Sequence, residues 1–145
     1  QKFIFAANLA GKAINISKTT SPHAFSYSFT SKYKIPHGHA VWLTLPKIFE
    51  IHCNTVDEEK LNFSNYEEFR NSLSEILSLL SLDEKNLVTE LQQFLNVLGL
   101  EYSMEKMGAA EKLDRKEISQ KVNLERLKNN PVCLSDKNIK DIFNL

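Results

Sequence analysis

An all-α fold, a helical bundle, is predicted by three features of this 145-residue sequence. Apolar residues recur at three- and four-residue spacing over long stretches, which is the signature of amphipathic helices. Only four glycines and four prolines occur, and β-branched residues in strict alternation are rare, so strands have little support. The helical pattern begins at once with Phe3, Ala6, Ala7, Ala10 and Ile14. As the first residue is Gln1 rather than Met, we expect the chain to be the back part of a longer protein, with residues 1–145 forming one helical domain.

Further elements follow in order. Prolines at Pro22 and Pro36 each stand just before a histidine and suit the first turn of a helix. Ser64 three residues before Glu67 has capping-box spacing ahead of a face made by Phe69, Leu73, Ile76, Leu77 and Leu80. Ser81 to Glu84 repeats that spacing before Leu87, Val88, Leu91, Phe94, Leu95 and Leu98, and Gly99 is placed as the C-terminal stop. Asp114 before Glu117, and Ser135 before Asp136 to Phe143, predict two shorter helices flanking the turn Asn129-Asn130-Pro131. Residues 54–65 read as an exposed loop and residues 100–108 as a connection with at most one helical turn.

Composition narrows the function. Hydrophobic residues make up 42% and charged residues 25%, the balance of a globular domain. Eighteen basic and eighteen acidic residues cancel, so no global field favours nucleic acid or an anionic membrane. Cys53 and Cys133 form no CxxC pattern and no disulfide framework, which suits a reducing cytoplasm. No apolar run approaches the ~18 residues of a membrane span. Small-molecule chemistry or a protein partner is the expectation that survives.

The candidate chemistry lies in Ser21-Pro22-His23-Ala24 and Ile35-Pro36-His37-Gly38-His39-Ala40, which hold three of the four histidines. One continuous helix would separate His23 and His37 by roughly 21 Å at about 1.5 Å per residue, too far for one metal. Pro36 biases Ile35 away from helical dihedrals, and a break there would let two helices fold back and bring the rings together. His39 is two residues from His37 and points about 200° away on a helix, so it should not share the same metal. Two imidazoles do not complete a catalytic zinc site, which takes three protein ligands and an open position. Spacing alone leaves both readings open, a half-site for metal or two polar residues of a helical core. His52 and Cys53, adjacent and diverging by about 100°, are read as structural, as are Trp42 and Phe49.

Those same residues carry a resemblance. Ala10-Gly11-Lys12-Ala13-Ile14-Asn15, the SPHA run and the PHG-x-A run at Pro36 to Ala40 resemble the iron-containing alcohol dehydrogenase family, which shares the dehydroquinate synthase-like fold. Val122 to Pro131 is similar to the NPR-like segment near that family's C-terminus. The likeness is strong over residues 11–45 and 123–145, and between them only helical character agrees. Lys18-Thr19-Thr20 and the SY-x-x-T run from Ser26 resemble the branch that includes phosphonoacetaldehyde reductases.

The resemblance implies a two-domain, metal-dependent oxidoreductase. His23 and His37 match the family's two C-terminal ligands to Fe2+ or Zn2+. The other two, an Asp and a His from a DxxxH helix, would lie upstream, as would the domain binding NAD(P), because no GGGS or GxGxxG loop occurs here. The chain alone is therefore expected to be inactive, its partners being an alcohol or aldehyde substrate, its own N-terminal domain and a second copy in a homodimer. Where many members carry a histidine four residues after the first ligand, this chain has Tyr27, a phenol and a poorer base at neutral pH, as the candidate catalytic group. Lys18 and His39 are candidate substrate contacts, with Lys32 another cation for an anionic group. Two alternatives stay open: a zinc-dependent dehydroquinate synthase-like cyclase, whose motif has HGE where this chain has His37-Gly38-His39, and a non-catalytic helical interaction domain.

Overall fold

A computed structural model describes residues 1–62, 65–109, 111–122 and 124–145. Among them the chain is all-helical. The helices are α1 (Lys2–Ser17), α2 (Ser21–Tyr33), α3 (His37–Trp42), α4 (Leu45–Cys53), α5 (Tyr66–Leu80), α6 (Leu87–Val97), α7 (Lys112–Gln120), α8 (Leu124–Lys128) and α9 (Asp136–Phe143). The loop after α4 contains a 3-10 turn, Glu58–Lys60, and meets the segment after α8 through one isolated antiparallel bridge, Leu61 to Val132. No helix of the described residues is long and apolar enough to cross a membrane.

Two apolar clusters hold the helices together. The larger joins Phe25, Phe29, Ile35, Ile48, Ile118 and Phe143, so that α2 packs on α3, α4, α7 and α8, and α9 on α4 and α7. The smaller joins Cys53, Leu73, Leu77, Leu87 and Leu91, with Trp42 and Phe49 packed against it as the sequence suggests. Burying a side chain of this size stabilises by about 1.5–3 kcal/mol. The predicted faces of α5 and α6 are only half used, however: Leu73, Leu77, Leu87, Leu91 and Leu95 are buried while Ile76, Leu80, Phe94 and Leu98 stay exposed. The first helix buries nothing, and Phe3 is 92% exposed.

The predicted starts and stops divide by whether the backbone around them agrees. Ser135 caps α9 in a reciprocal capping box with Asn138, as its position predicts. The expected cap Ser64 lies outside the described residues, and Asn65 caps α5 by accepting from the Glu68 N–H at 3.1 Å. Ser81 is not an N-cap. It sits at φ +55°, and its N–H and that of Leu82 close on the carbonyls of Ser78 and Leu77, so it ends α5 in a Schellman motif. The start of α6 is therefore delayed to Leu87, behind an Asp83 turn in which Asp83 accepts from the Lys85 N–H and the Asn86 amide. Gly99, at φ +69°, ends α6 with the same motif, through Gly99 to Asn96 and Leu100 to Leu95. Asp114 falls in the first turn of α7, whose N-cap is Glu111. Residues 103–109 make one helical turn, and Gly108 at φ +108° lets it lie against Tyr33, whose ring a Cβ there would meet at 2.8 Å.

Candidate metal centre

Two short turns set the site. Thr20 takes the extended N-cap conformation before α2, Pro22 occupies the first turn, and the His23 N–H reaches the Thr20 carbonyl at 3.1 Å. At the far end Lys34 adopts the left-handed conformation at φ +59° and Pro36 becomes the N-cap of α3. The chain therefore reverses between Tyr33 and His37, and α3 packs back on α2. His23 and His37 end with ring centroids 5.3 Å apart at 61°, a quarter of the distance a continuous helix would impose.

That spacing can be set against what a metal needs. Two imidazoles bound to one tetrahedral zinc at about 2.0–2.1 Å have ring centres about 5 Å apart, so the pair fits two positions of such a site. Burial, then the neighbouring His37 and Arg126, hold the His23 pKa below its usual value, which keeps a lone pair available. Among the described residues no group of three His, Cys, Asp or Glu side chains comes together. By itself the pair therefore offers two ring nitrogens, short of the three protein ligands of a catalytic zinc site.

Around it lie groups from distant parts of the chain. Ser26 is fully buried, with its Oγ 2.8 Å from the His23 carbonyl oxygen and 3.2 Å from His37 Nδ1. The Tyr27 ring stands 5.5 Å from that of His37. Arg126 of α8 donates to the Tyr27 hydroxyl, stands 4.7 Å from the ring centroid and also reaches Thr19 Oγ1 at 3.4 Å. An open cavity of about 680 Å³ is lined there by Ile14, Lys18, Thr19, Tyr27, Arg126 and Asn129, among others. Lys18 closes α1 at φ +61° and ψ −166°, a strained conformation for a residue with a side chain. The turn is tied down by Asn129, whose amide donates to the carbonyls of Ser17 at 2.9 Å and Thr19 at 3.0 Å.

The other histidines are engaged elsewhere. His39 points its Nε2 at the Glu101 carbonyl, away from the pair. His52 receives a hydrogen bond from the Asn130 amide at 3.0 Å, and burial pushes its pKa down to about 4. Lys32 bridges Asp114 at 2.7 Å and Glu117 at 3.0 Å, so its ammonium serves α7.

The residues that sequence reasoning did not single out are Ser26, Arg126 and Asn130. Ser26 carried a weak signal, being three residues after His23 and so on the same helix face. Arg126 and Asn130 are about a hundred residues away in sequence, within the family-like segment and its turn, and nothing there tied them to the histidines.

No curated protein and no solved structure matches the chain. A family model does, over its whole length: by the match of residues 1–145 to "Fe-containing alcohol dehydrogenase family, C-terminal", the chain belongs to the Fe-containing alcohol dehydrogenase family and comprises its helical C-terminal region.

Proposed function

We propose that this chain is the metal-binding domain of an NAD(P)-linked alcohol dehydrogenase or aldehyde reductase, and that His23 and His37 supply two ligands to a catalytic Fe2+ or Zn2+. The observation that carries this reading is the 5.3 Å approach of the two rings in a chain of this family. The missing ligands and the nucleotide site are assigned to an upstream domain of the full-length protein. When bound, such a metal supplies Lewis acidity toward a carbonyl or alkoxide oxygen, and the nicotinamide supplies or accepts hydride.

The chain's own residues have three tasks in this proposal. His23, kept neutral by its surroundings, and His37 hold the ion with ring nitrogens. Tyr27 is assigned to proton movement at its hydroxyl: Arg126 donates to that oxygen, so the phenol's own proton is left for a second acceptor. Lys18 and Arg126 line the cavity beside Tyr27 and suit a substrate with an anionic end. His39 is left out of the ligand set, its Nε2 being committed to Glu101.

The test is elemental analysis of the full-length protein. His23→Ala or His37→Ala should lose most of the bound metal, and His39→Ala should keep it. Equal metal content in all three variants would sink the assignment.

A further inference from the structure

We infer that Ser26 is a positioning residue that fixes the tautomer of His37, placing the proton on Nδ1 and leaving Nε2 with its lone pair. The argument is an accounting of one hydrogen. Ser26 Oγ lies 2.8 Å from the His23 carbonyl oxygen, and that oxygen can only accept. The serine proton is spent there. The same Oγ lies 3.2 Å from His37 Nδ1, and with its only proton engaged it can meet that nitrogen only as an acceptor. Nδ1 must then be the donor. Ser26 is fully buried, so its hydroxyl has no solvent partner of its own. A reversed arrangement, with Ser26 donating to Nδ1, would put the ring proton on Nε2 and leave the His23 carbonyl without this partner.

One hydroxyl thus joins the first turn of α2 to the first residue of α3 and selects which nitrogen of His37 is free. The consequence for metal rests on the assignment of His37 as a ligand; the tautomer does not. Removing a hydrogen-bond partner that orients a ligating histidine typically costs roughly 10–100-fold in metal affinity.

The experiment uses the full-length protein with ¹⁵N-labelled histidine. Ring-nitrogen chemical shifts are recorded metal-free at a pH where imidazoles are neutral, and Zn2+ affinity is measured by competition with a chelator. In the wild type, His37 is expected as the Nδ1–H form. Ser26→Ala should release it into a mixture of tautomers and weaken Zn2+ binding roughly 10–100-fold, while Ser26→Thr, which keeps the oxygen, should retain the wild-type tautomer. Ser119→Ala removes a similar hydroxyl bond on α7, 2.7 Å to the Lys116 carbonyl, and should change neither reading. An Nε2–H form in the wild type overturns the inference, as does an unchanged tautomer in Ser26→Ala or a loss of metal without a change of tautomer. A wild type that shows the Nδ1–H form but binds no Zn2+ upholds the tautomer lock and removes the metal reading instead.

Discussion

His37 and His52 are both hydrogen-bonded through one ring nitrogen, and yet they are opposite kinds of site. At His37 the neighbour is Ser26 on Nδ1, and Nε2 faces no protein donor or acceptor in hydrogen-bond reach among the described residues. At His52 the neighbour is the Asn130 amide, which donates to Nε2 itself. An amide nitrogen cannot accept, so the His52 lone pair is consumed inside the protein. The lesson is that a histidine becomes a candidate ligand through the atom its neighbour leaves alone. Residue type does not distinguish the two.

The His52 side can be broken most severely at Asn130. This residue is fully buried; it accepts from Ser21 Oγ at 2.7 Å and donates to the Val132 carbonyl at 2.7 Å and to His52. Its own carbonyl takes the Asn62 amide. Asn130→Ala strands three buried polar groups, each costing about 1–3 kcal/mol, and should destabilise the protein by about 4 kcal/mol in urea unfolding. A loss under ~1 kcal/mol would mean that water enters and replaces the amide.

Next in size is acid. The His52 pKa is about 4 in the folded chain against 6.5 in the reference state, with burial as the chief cause. As pH falls below 6.5 the unfolded chain takes up this proton first, and the folded chain follows only near 4. The stability contribution is therefore complete above 6.5 and declines between 6.5 and 4, by up to ~3 kcal/mol. Urea midpoints across that range should fall in the wild type and fall less in His52→Gln. Parallel pH profiles would show that His52 is hydrated and not responsible. Asn130→Asp sharpens the same contrast: a carboxylate beside Nε2 favours the charged imidazole, so His52 should titrate at higher pH.

How much of this was legible beforehand depended on the range of the interaction. The helices were, because periodicity and caps such as Ser135 are written within a few residues of where they act. The break at Pro36 was legible for the same reason, and it is what brings His23 and His37 within 5.3 Å. Ser81 misled because a serine is equally at home before a helix and after one; only its left-handed conformation at the end of α5 decides, and spacing does not encode that. Asn130 read as an ordinary turn residue because its partners Ser21 and His52 lie 109 and 78 residues away. Ser26 read only as part of the SY-x-x-T run because its role is one proton, visible only when the His23 carbonyl and the His37 ring are both in place.

Ser21 offers the finest cut between the two histidine regions, since it belongs to both. It opens α2 two residues before His23 and gives its proton to Asn130, 2.7 Å away in a fully buried bond. Ser21→Ala removes one donor and leaves Asn130 Oδ1 short of a partner, a loss of about 1–2 kcal/mol, smaller than either effect above. Because Ser26 and the Asn129 bonds to Ser17 and Thr19 still hold the turn, the His37 tautomer should be unchanged. Unfolding free energy and ¹⁵N shifts measured on the same variant check both halves. A tautomer that moved with Ser21→Ala would mean that the Asn130 network, and not Ser26 alone, sets the His37 ring.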